Sequence, residues 1–126
     1  MKFSTTIKSW GSEALDFLPP NSDEEDNNFI IIFNENAPEE LADMAILHPA
    51  APLTADPVVG DTVNICGKSY KISAVGFEAL HTLRTLGHCT LNFKGGPEPE
   101  MPGCIMLEGE QLTASDIQIG GKIEIL

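Results

Sequence analysis

The sequence predicts a mainly β fold, either a small closed antiparallel β-barrel or a barrel-like sandwich, with one to three short helices. Apolar runs of a few residues, rich in β-branched side chains, recur between clusters of Gly, Pro, Asn and Asp. Several runs alternate apolar with polar residues, which is typical of antiparallel strands with one buried face. Six or more short strands in 126 residues need a closed barrel or two packed sheets to protect their edges. We therefore predict one domain spanning residues 1–126.

Six apolar runs carry the clearest strand signal. They are residues 29–33, 62–66, 70–75, 89–93, 104–107 and 122–126. A further run, residues 44–47, is predicted to form a strand that leads into His48. Gly67-Lys68, between the second and third of the six runs, is predicted to be a tight hairpin turn.

Helical signals are fewer. Residues 12–18 begin with a Ser suited to an N-cap and end at Pro19-Pro20, which predicts a short amphipathic helical turn. Residues 38–43 place a proline and acids where a helix start favours them. The third predicted helix, Phe77–Leu86, has two to three turns and stops at Gly87. Its apolar side is predicted to consist of Phe77, Leu80, Leu83 and Leu86.

Two segments are predicted to be loops. Residues 21–28 are a run of acids and amides that cannot bury itself, so we expect a solvated loop. Residues 94–103 are rich in Gly and Pro and are equally unsuited to regular structure.

The charge balance is strongly acidic. Seven basic residues, with Arg84 as the sole arginine, stand against nineteen acidic ones, for a net charge of −12. Such a field repels nucleic acid and anionic membrane surfaces and steers a basic protein partner to the surface. No apolar run approaches the ~20 residues needed to cross a bilayer, and the N-terminal residues lack the apolar core of a signal peptide. We therefore predict a cytoplasmic protein without direct membrane insertion.

Sequence motifs argue against several kinds of site. The chain has no Gly-x-Ser-x-Gly, no Walker loop and no Gly-x-Gly-x-x-Gly, which disfavours a nucleophile elbow and nucleotide binding. Cys66, Cys89 and Cys104 are widely spread without a Cys-x-x-Cys pair, so we expect reduced thiols and no zinc ribbon. The neighbours His88 and Cys89 point to opposite faces if they lie in a strand. No cofactor and no metal site is predicted.

Among the three histidines, His48 has the most unusual setting. It ends an apolar run and precedes Pro49-Ala50-Ala51-Pro52, so a strand is expected to deliver it to a rim where two prolines fix the chain direction. A neutral, unhindered imidazole there is a nucleophile near pH 7 and also a leaving group, as reversible phosphoryl transfer requires. On the local sequence alone, a histidine that caps the core through a hydrogen bond is the favoured interpretation.

His88 is a second candidate site residue, at the start of a predicted strand and directly after Gly87. It could donate to phosphoryl oxygens or orient another ring, and a hydrogen-bonded core histidine is an equally good interpretation. His81 lies in mid-helix, away from the side of Leu80 and Leu83, and is predicted to be solvated.

Several ordered segments resemble a known family. They are Ala74-Val75-Gly76, the run Leu-Arg-Thr-Leu-Gly-His-Cys-Thr-Leu-Asn-Phe at 83–93 and the turn Pro102-Gly103, supported by Thr5-Thr6-Ile7 with Gly11 and by Ala37-Pro38 with Leu41 leading to His48. With these segments the chain resembles the glucitol/sorbitol-specific IIA component of the bacterial phosphoenolpyruvate-dependent sugar phosphotransferase system. The resemblance runs from near the N-terminus to the last predicted strand and implies a compact, barrel-like β domain.

The resemblance also implies a role for His48. In the family, the histidine that ends the apolar run after the Ala-Pro segment accepts the phosphoryl group, and that position is His48 here. Phospho-HPr, a small carrier protein, would phosphorylate His48, which would pass the group to the IIB part of the permease for phosphorylation of a sugar alcohol. The chain would then be a phosphotransferase with HPr and the IIB/IIC permease components as partners. Exposed β edges leave a homodimer open.

The sequence departs from the family pattern in two places. Some relatives carry a second histidine two residues after the acceptor, where this chain has Ala50, so His88 or backbone amides would have to hold the phosphoryl group. The acidic loop 21–28 also looks longer than in relatives.

Two rival functions stay open. One is a non-catalytic regulatory protein of the same fold, and the other is a metal- or ligand-binding barrel that uses His48, His88 and Cys66 or Cys89.

Overall fold

The computed structural model describes residues 1–23 and 27–126. Its strands are β1 (Phe3–Thr6), β2 (Ser9–Trp10), β3 (Phe29–Asn34), β4 (Ile46–His48), β5 (Thr62–Ile65), β6 (Lys68–Val75), β7 (Cys89–Asn92), β8 (Cys104–Gly109) and β9 (Lys122–Ile125). The helices are α1 (Glu39–Ala42), α2 (Phe77–Leu86) and a 3₁₀ turn, Ala114–Asp116. The nine strands form one sheet in the order β1-β9-β5-β6-β8-β7-β3-β4-β2.

Residues between β1 and β2 connect the two edges of this sheet. The backbone of Ile7 exchanges hydrogen bonds with the turn before β9, through Gly120 N–H at 2.7 Å and Gly121 C=O at 2.8 Å. The next residue, Lys8, donates its N–H to Leu47 in β4 at 2.8 Å. The sheet therefore curls until its edges meet, which protects strands that would otherwise expose unpaired backbone groups. This arrangement confirms the predicted mainly β, barrel-like fold.

Most strand pairs in the described part of the chain are antiparallel, and two are parallel. β3 pairs with β4, and β7 pairs with β8, in the parallel sense. Parallel neighbours need a crossover connection rather than a hairpin. One crossover contains α1, and the other is the predicted loop between Asn92 and Cys104, in which no helix or strand is described.

Side-chain alternation places the core inside the curl. Buried and wetter positions alternate along β1, β5, β6 and β9, as the sequence pattern predicts. The interior is filled by large aliphatic and aromatic side chains, including Phe3, Ile32, Ile46, Ile65, Tyr70, Ile72, Leu91, Ile105 and Ile123. In β8 both faces are covered, and Cys104 and Met106 pack with Ala74 in a second small cluster.

Helix α2 has the predicted bounds and ends at Gly87, which adopts a left-handed conformation with φ of 60°. Its predicted apolar side is wrong in part, because Ala79 and Leu83 are buried whereas Phe77 is 79% exposed. A strict three-residue spacing drifts around a helix of 3.6 residues per turn, so Phe77 and Leu86 lie on opposite sides. The buried face instead follows the four-residue spacing of Ala79, Leu83 and Gly87.

Other expectations for local structure have mixed outcomes. The predicted helix at 12–18 is wrong, since this segment forms successive turns closed by bonds between residues three apart, such as Leu18 N–H to Leu15 C=O. The β5–β6 hairpin turns at Cys66-Gly67 rather than Gly67-Lys68. Both turn residues have positive φ, 49° and 86°, as a type I′ turn requires.

Strands β1 and β2 are missing from the predicted set, because each is short and interrupted by polar residues. The acidic segment predicted as a loop, 21–28, includes residues 24–26, which lie outside the described residues. In the ranges that are described, no helix is long and apolar enough to span a bilayer.

Candidate functional site

His48 is the last residue of β4, where the strand meets the end of β3. Its register partner is Asn34, and its carbonyl accepts a hydrogen bond from Glu35 N–H at 2.7 Å. Pro49 follows at once, and because proline has no N–H the ladder cannot continue through it. The predicted position of His48, at the end of a strand before the prolines, is therefore what the structure shows.

The expected exposure of His48 is wrong. The residue is fully buried, with 0% of its surface accessible. Phe3 packs edge-on against the imidazole, with ring centroids 5.7 Å apart, and Gly87 lies against the other part of the ring. Both neighbours are distant in sequence, so tertiary packing covers a side chain that the local pattern would leave at a rim.

Both ring nitrogens of His48 lie against backbone carbonyls. Nδ1 is 2.8 Å from the oxygen of Pro49, and Nε2 is 2.8 Å from the oxygen of Gly87. A neutral imidazole carries one N–H, so it can donate to one of these oxygens, whereas the imidazolium can donate to both. The Pro49 oxygen also accepts from the hydroxyl of Thr5 at 3.1 Å, which fixes it in place. Two acceptors and a tight fit hold the ring in one orientation.

Gly87 forms the contact between helix α2 and His48. A Cβ atom at this position would lie 2.6 Å from Cε1 and 3.0 Å from Nε2 of the imidazole, closer than real side chains approach. Its left-handed φ of 60° also favours glycine. Gly87 therefore serves twice, because it ends the helix and lets the helix end approach the histidine ring.

An open cavity of about 310 Å³ lies on the outer side of Gly87. It is lined by Asn34, Ala50, Ala51, Pro52, Arg84, Thr85 and Gly87. The Arg84 guanidinium pairs with the carboxylate of Asp56 and lies 3.5 Å from the carbonyl oxygen of Leu53. Gly87 thus touches the His48 ring and also lines a cavity that holds the one arginine of the chain.

The structure does not bring His88 into contact with His48. The His88 ring stacks on Phe33, with centroids 4.5 Å apart, and its Nδ1 lies 3.1 Å from the oxygen of Ile32. Phe33 pairs with Leu47 and Asn34 with His48, so Phe33 and His48 point to opposite faces of the sheet. His81 is exposed on α2, as predicted.

The described residues form no group of three or more His, Cys, Asp or Glu side chains arranged to hold a metal ion. The three thiols are free, and burial raises the pKa of Cys66, Cys89 and Cys104. A raised pKa keeps a thiol protonated at neutral pH, which disfavours metal ligation and nucleophilic attack. The geometry around these cysteines gives no support to the metal-binding alternative.

Comparison with known proteins identifies the family. The family model described as the PTS system glucitol/sorbitol-specific IIA component matches residues 2–124. The chain belongs to this family. It is 35% identical over 107 residues to the PTS system glucitol/sorbitol-specific EIIA component of Escherichia coli K12, covering 85% of this chain and 81% of that protein. A protein with the same description from Shigella flexneri matches with the same identity and coverage.

A solved structure of a PTS system IIA component shares the fold. The crystal structure of a PTS system IIA component from Enterococcus faecalis V583 superposes with a TM-score of 0.77. It is 26% identical in sequence, and the match covers 98% of each chain. The barrel-like architecture is thus common to this chain and a solved PTS system IIA component of nearly the same length.

Sequence reasoning did not assign roles at the site to two residues. The sequence predicts Gly87 only as the stop of a helix, and Arg84 stands out only as the sole arginine and as part of the family motif. Their spacing carried a usable signal, since residues three apart on a helix face the same side. The sequence does not show which residue this side of the helix contacts, because His48 lies 39 residues before Gly87 in the chain.

Proposed function

We propose that this IIA component is a cytoplasmic phosphocarrier that accepts a phosphoryl group from phospho-HPr on His48 and passes it to the IIB part of a sugar-alcohol permease. Family membership supports the general role, and the proposal assigns the acceptor and both partners. The observation that carries it is the position of His48 at the end of β4, where its Nε2 atom contacts Gly87, a residue that also lines an open cavity. No other described histidine is placed in this way.

The acceptor atom in this proposal is Nε2. Nδ1 faces the carbonyl of the adjoining Pro49, which Thr5 also holds, so Nδ1–H has a fixed acceptor. In that tautomer Nε2 carries the lone pair, and the lone pair points at the Gly87 oxygen. In this tautomer the lone pair of Nε2 and a lone pair of the Gly87 carbonyl oxygen face each other and repel. The tautomer therefore favours displacement of the Gly87 carbonyl and exposure of Nε2.

Transfer requires movement at Gly87 because the ring is sealed in this conformation. The Gly87 carbonyl belongs to the peptide that Gly87 shares with His88, whose N–H donates to Thr82 C=O at 3.2 Å, so rotation of this peptide breaks that hydrogen bond. Glycine tolerates the accompanying change of backbone conformation at little cost. The Nε2 lone pair then attacks phosphorus as the bond from phosphorus to the donor imidazole breaks, and the electron pair of that bond returns to the donor nitrogen. The reaction is close to balanced because both partners are imidazoles.

The net charge of −12 suits a basic carrier protein as donor. Attraction raises the encounter rate at low salt and is lost as salt screens it. Leu86, which is 41% exposed and follows the cavity residue Thr85 in the chain, offers apolar contact area for a brief complex.

Incubation with phosphoenolpyruvate, enzyme I and HPr tests the proposal. The wild-type chain should gain one acid-labile, alkali-stable phosphoryl group, and ³¹P NMR should assign it to Nε2. His48→Gln should gain none. His81→Gln is the matched control, because it removes an exposed histidine from α2 and should behave as the wild type does.

A non-catalytic regulatory protein of the same fold is the second candidate function. The complete burial of His48 and its two carbonyl contacts favour it, because they are also what a structural histidine would show. Failure of the wild-type chain to accept phosphate from phospho-HPr, in an assay where another IIA protein does so, would select this alternative.

A further inference from the structure

The cavity beside Gly87 has the size and position to receive a phosphoryl group. Its volume is about 310 Å³, and its lining residues include Asn34, Arg84 and Thr85. At about 30 Å³ for each water-sized group, it can hold phosphorus with three terminal oxygens and several waters. A group bonded to Nε2 would enter this space once the Gly87 peptide turns aside.

An anion in this cavity meets an unfavourable field. The C-terminus of α2 ends at Gly87, and the partial negative charge of a helix C-terminus opposes an anion there. The whole chain adds a net charge of −12. Of the described residues that line the cavity, Arg84 is the charged one. Stable placement of a phosphoryl dianion therefore depends on Arg84 far more than on any neutral donor.

Arg84 is held by contacts that are easily exchanged. Its side chain and that of Asp56 are 50% and 55% exposed, and exposed ion pairs of this kind contribute about 0–1 kcal/mol. The second contact, to Leu53 C=O, is long at 3.5 Å. A phosphoryl group suits the bidentate guanidinium fork as a carboxylate does, and its two negative charges attract the guanidinium more strongly than the single charge of Asp56.

We propose that Arg84 is the phosphoryl-binding residue of this site, and that Asp56 holds its guanidinium in the unphosphorylated state. On phosphorylation of His48 the guanidinium leaves Asp56 and donates to the phosphoryl oxygens. Arg84 thereby supplies charge that Ala50 and His88 do not, since Ala50 has no polar side chain and His88 faces Phe33. This inference rests on the proposed function and adds the residue that stabilises the transferred group.

The rate of phosphoryl transfer from phospho-HPr and the hydrolysis half-life of the phosphorylated chain test the proposal. Arg84→Gln should slow transfer by about 10-fold or more and shorten the half-life, because a preorganised cation is lost from the transition state. Arg84→Lys should be intermediate, since it keeps the charge and loses the fork. Asp56→Asn frees the guanidinium and should match or exceed the wild-type rate.

Lys68→Gln is the matched control. It also removes one positive charge and one ion pair, that with Asp116, but Lys68 does not line the cavity. Both variants change the net charge equally, so a slower encounter with HPr would affect both. Thermal unfolding midpoints for all variants separate loss of fold from loss of function.

The outcomes are distinguishable. If the wild type is phosphorylated on His48 and Arg84→Gln transfers at the wild-type rate with the wild-type half-life, the role of Arg84 is wrong and the phosphocarrier function stands. If Asp56→Asn is as slow as Arg84→Gln, the ion pair matters for structure and the proposal is again overturned. If the wild type accepts no phosphate, or His48→Gln still accepts it, both the function and the role of Arg84 fail.

Discussion

The imidazole of His88 stacks on the ring of Phe33 at a centroid distance of 4.5 Å and an interplanar angle of 28°. This contact places His88 on the face of the sheet opposite His48. Stacked aromatic pairs contribute about 0.5–1.5 kcal/mol beyond burial. We therefore predict that His88→Ala lowers the free energy of unfolding by about 1–2 kcal/mol, measured by urea denaturation, because it loses both the stack and the contact from Nδ1 to the carbonyl oxygen of Ile32. His88→Phe keeps the stack and should lose less.

Phosphoryl acceptance should be nearly unchanged in His88→Phe. The phenyl ring can stack on Phe33 and cannot donate a hydrogen bond, so this variant separates packing from chemistry. A large loss of phosphotransfer in His88→Phe with an intact fold would assign His88 the supporting role that its distance from the His48 face argues against.

Gly87→Ala should lower the free energy of unfolding by more than the cost of placing alanine in a left-handed backbone conformation. A non-glycine residue in the left-handed region costs about 1–3 kcal/mol, and here the new methyl group would also meet the His48 ring. Gly120→Ala is the control, since Gly120 has φ of 83° and open space where a Cβ would stand. Urea denaturation of both variants isolates the contact. Equal losses would mean that Gly87 is not pressed against His48.

Leu83 should be the stabilising contact between α2 and the barrel. It is fully buried, so Leu83→Ala should lower the free energy of unfolding by about 2–5 kcal/mol through lost burial and a new cavity. Leu86 is 41% exposed, and Leu86→Ala should cost less than about 1 kcal/mol. Chemical denaturation measures both, and a larger loss for Leu86 would contradict the observed helix face.

Acid should weaken the fold through Asp116. Its carboxylate accepts the N–H of Thr113 and pairs with Lys68, each at 2.9 Å, and these contacts lower its pKa below the ordinary 3.8. The unfolded chain therefore binds this proton more readily than the folded one. The stabilisation is fully present above the unfolded pKa and is lost as pH falls through the lower folded pKa.

Urea denaturation across about pH 3 to 7 checks this effect. Asp116→Asn should be less stable than the wild type at neutral pH and should lose less stability on acidification. Asp16→Asn removes an exposed carboxylate from the turns of residues 12–18 and is the charge-matched control. An unchanged slope in Asp116→Asn would show that other carboxylates set the acid response.

Local sequence signals predicted most of the fold. Runs such as 29–33 and 70–75 became strands because alternation and β-branched residues fit a sheet, and Gly87 ended α2 as glycine does. The failed helix at 12–18 shows the limit of such signals. Seven residues nucleate a helix poorly, and Phe17 instead stacks on Phe29 with centroids 4.5 Å apart and accepts the N–H of that residue.

The candidate acceptor could be proposed from the sequence, but its environment could not. The family resemblance pointed to His48, and the proline after it marked the end of a strand. Its burial depends on Phe3, which precedes it in the sequence, and on Gly87, which follows it. The barrel fold brings both residues against the imidazole. Distances of about 40 residues in sequence leave no local pattern, so the closed state of the histidine and the cavity with Arg84 appear only in three dimensions.

The pairing of β1 with β9 has a consequence for synthesis. Phe3 lies opposite Ile125 in the register of these strands, so β1 is synthesised long before the strand that it pairs with. Until then β1 and β5 each lack a partner that β9 supplies, and unpaired strand edges invite association between chains. Non-local pairing of this kind also slows folding. Nascent chains are therefore most vulnerable to aggregation just before residues 122–125 emerge.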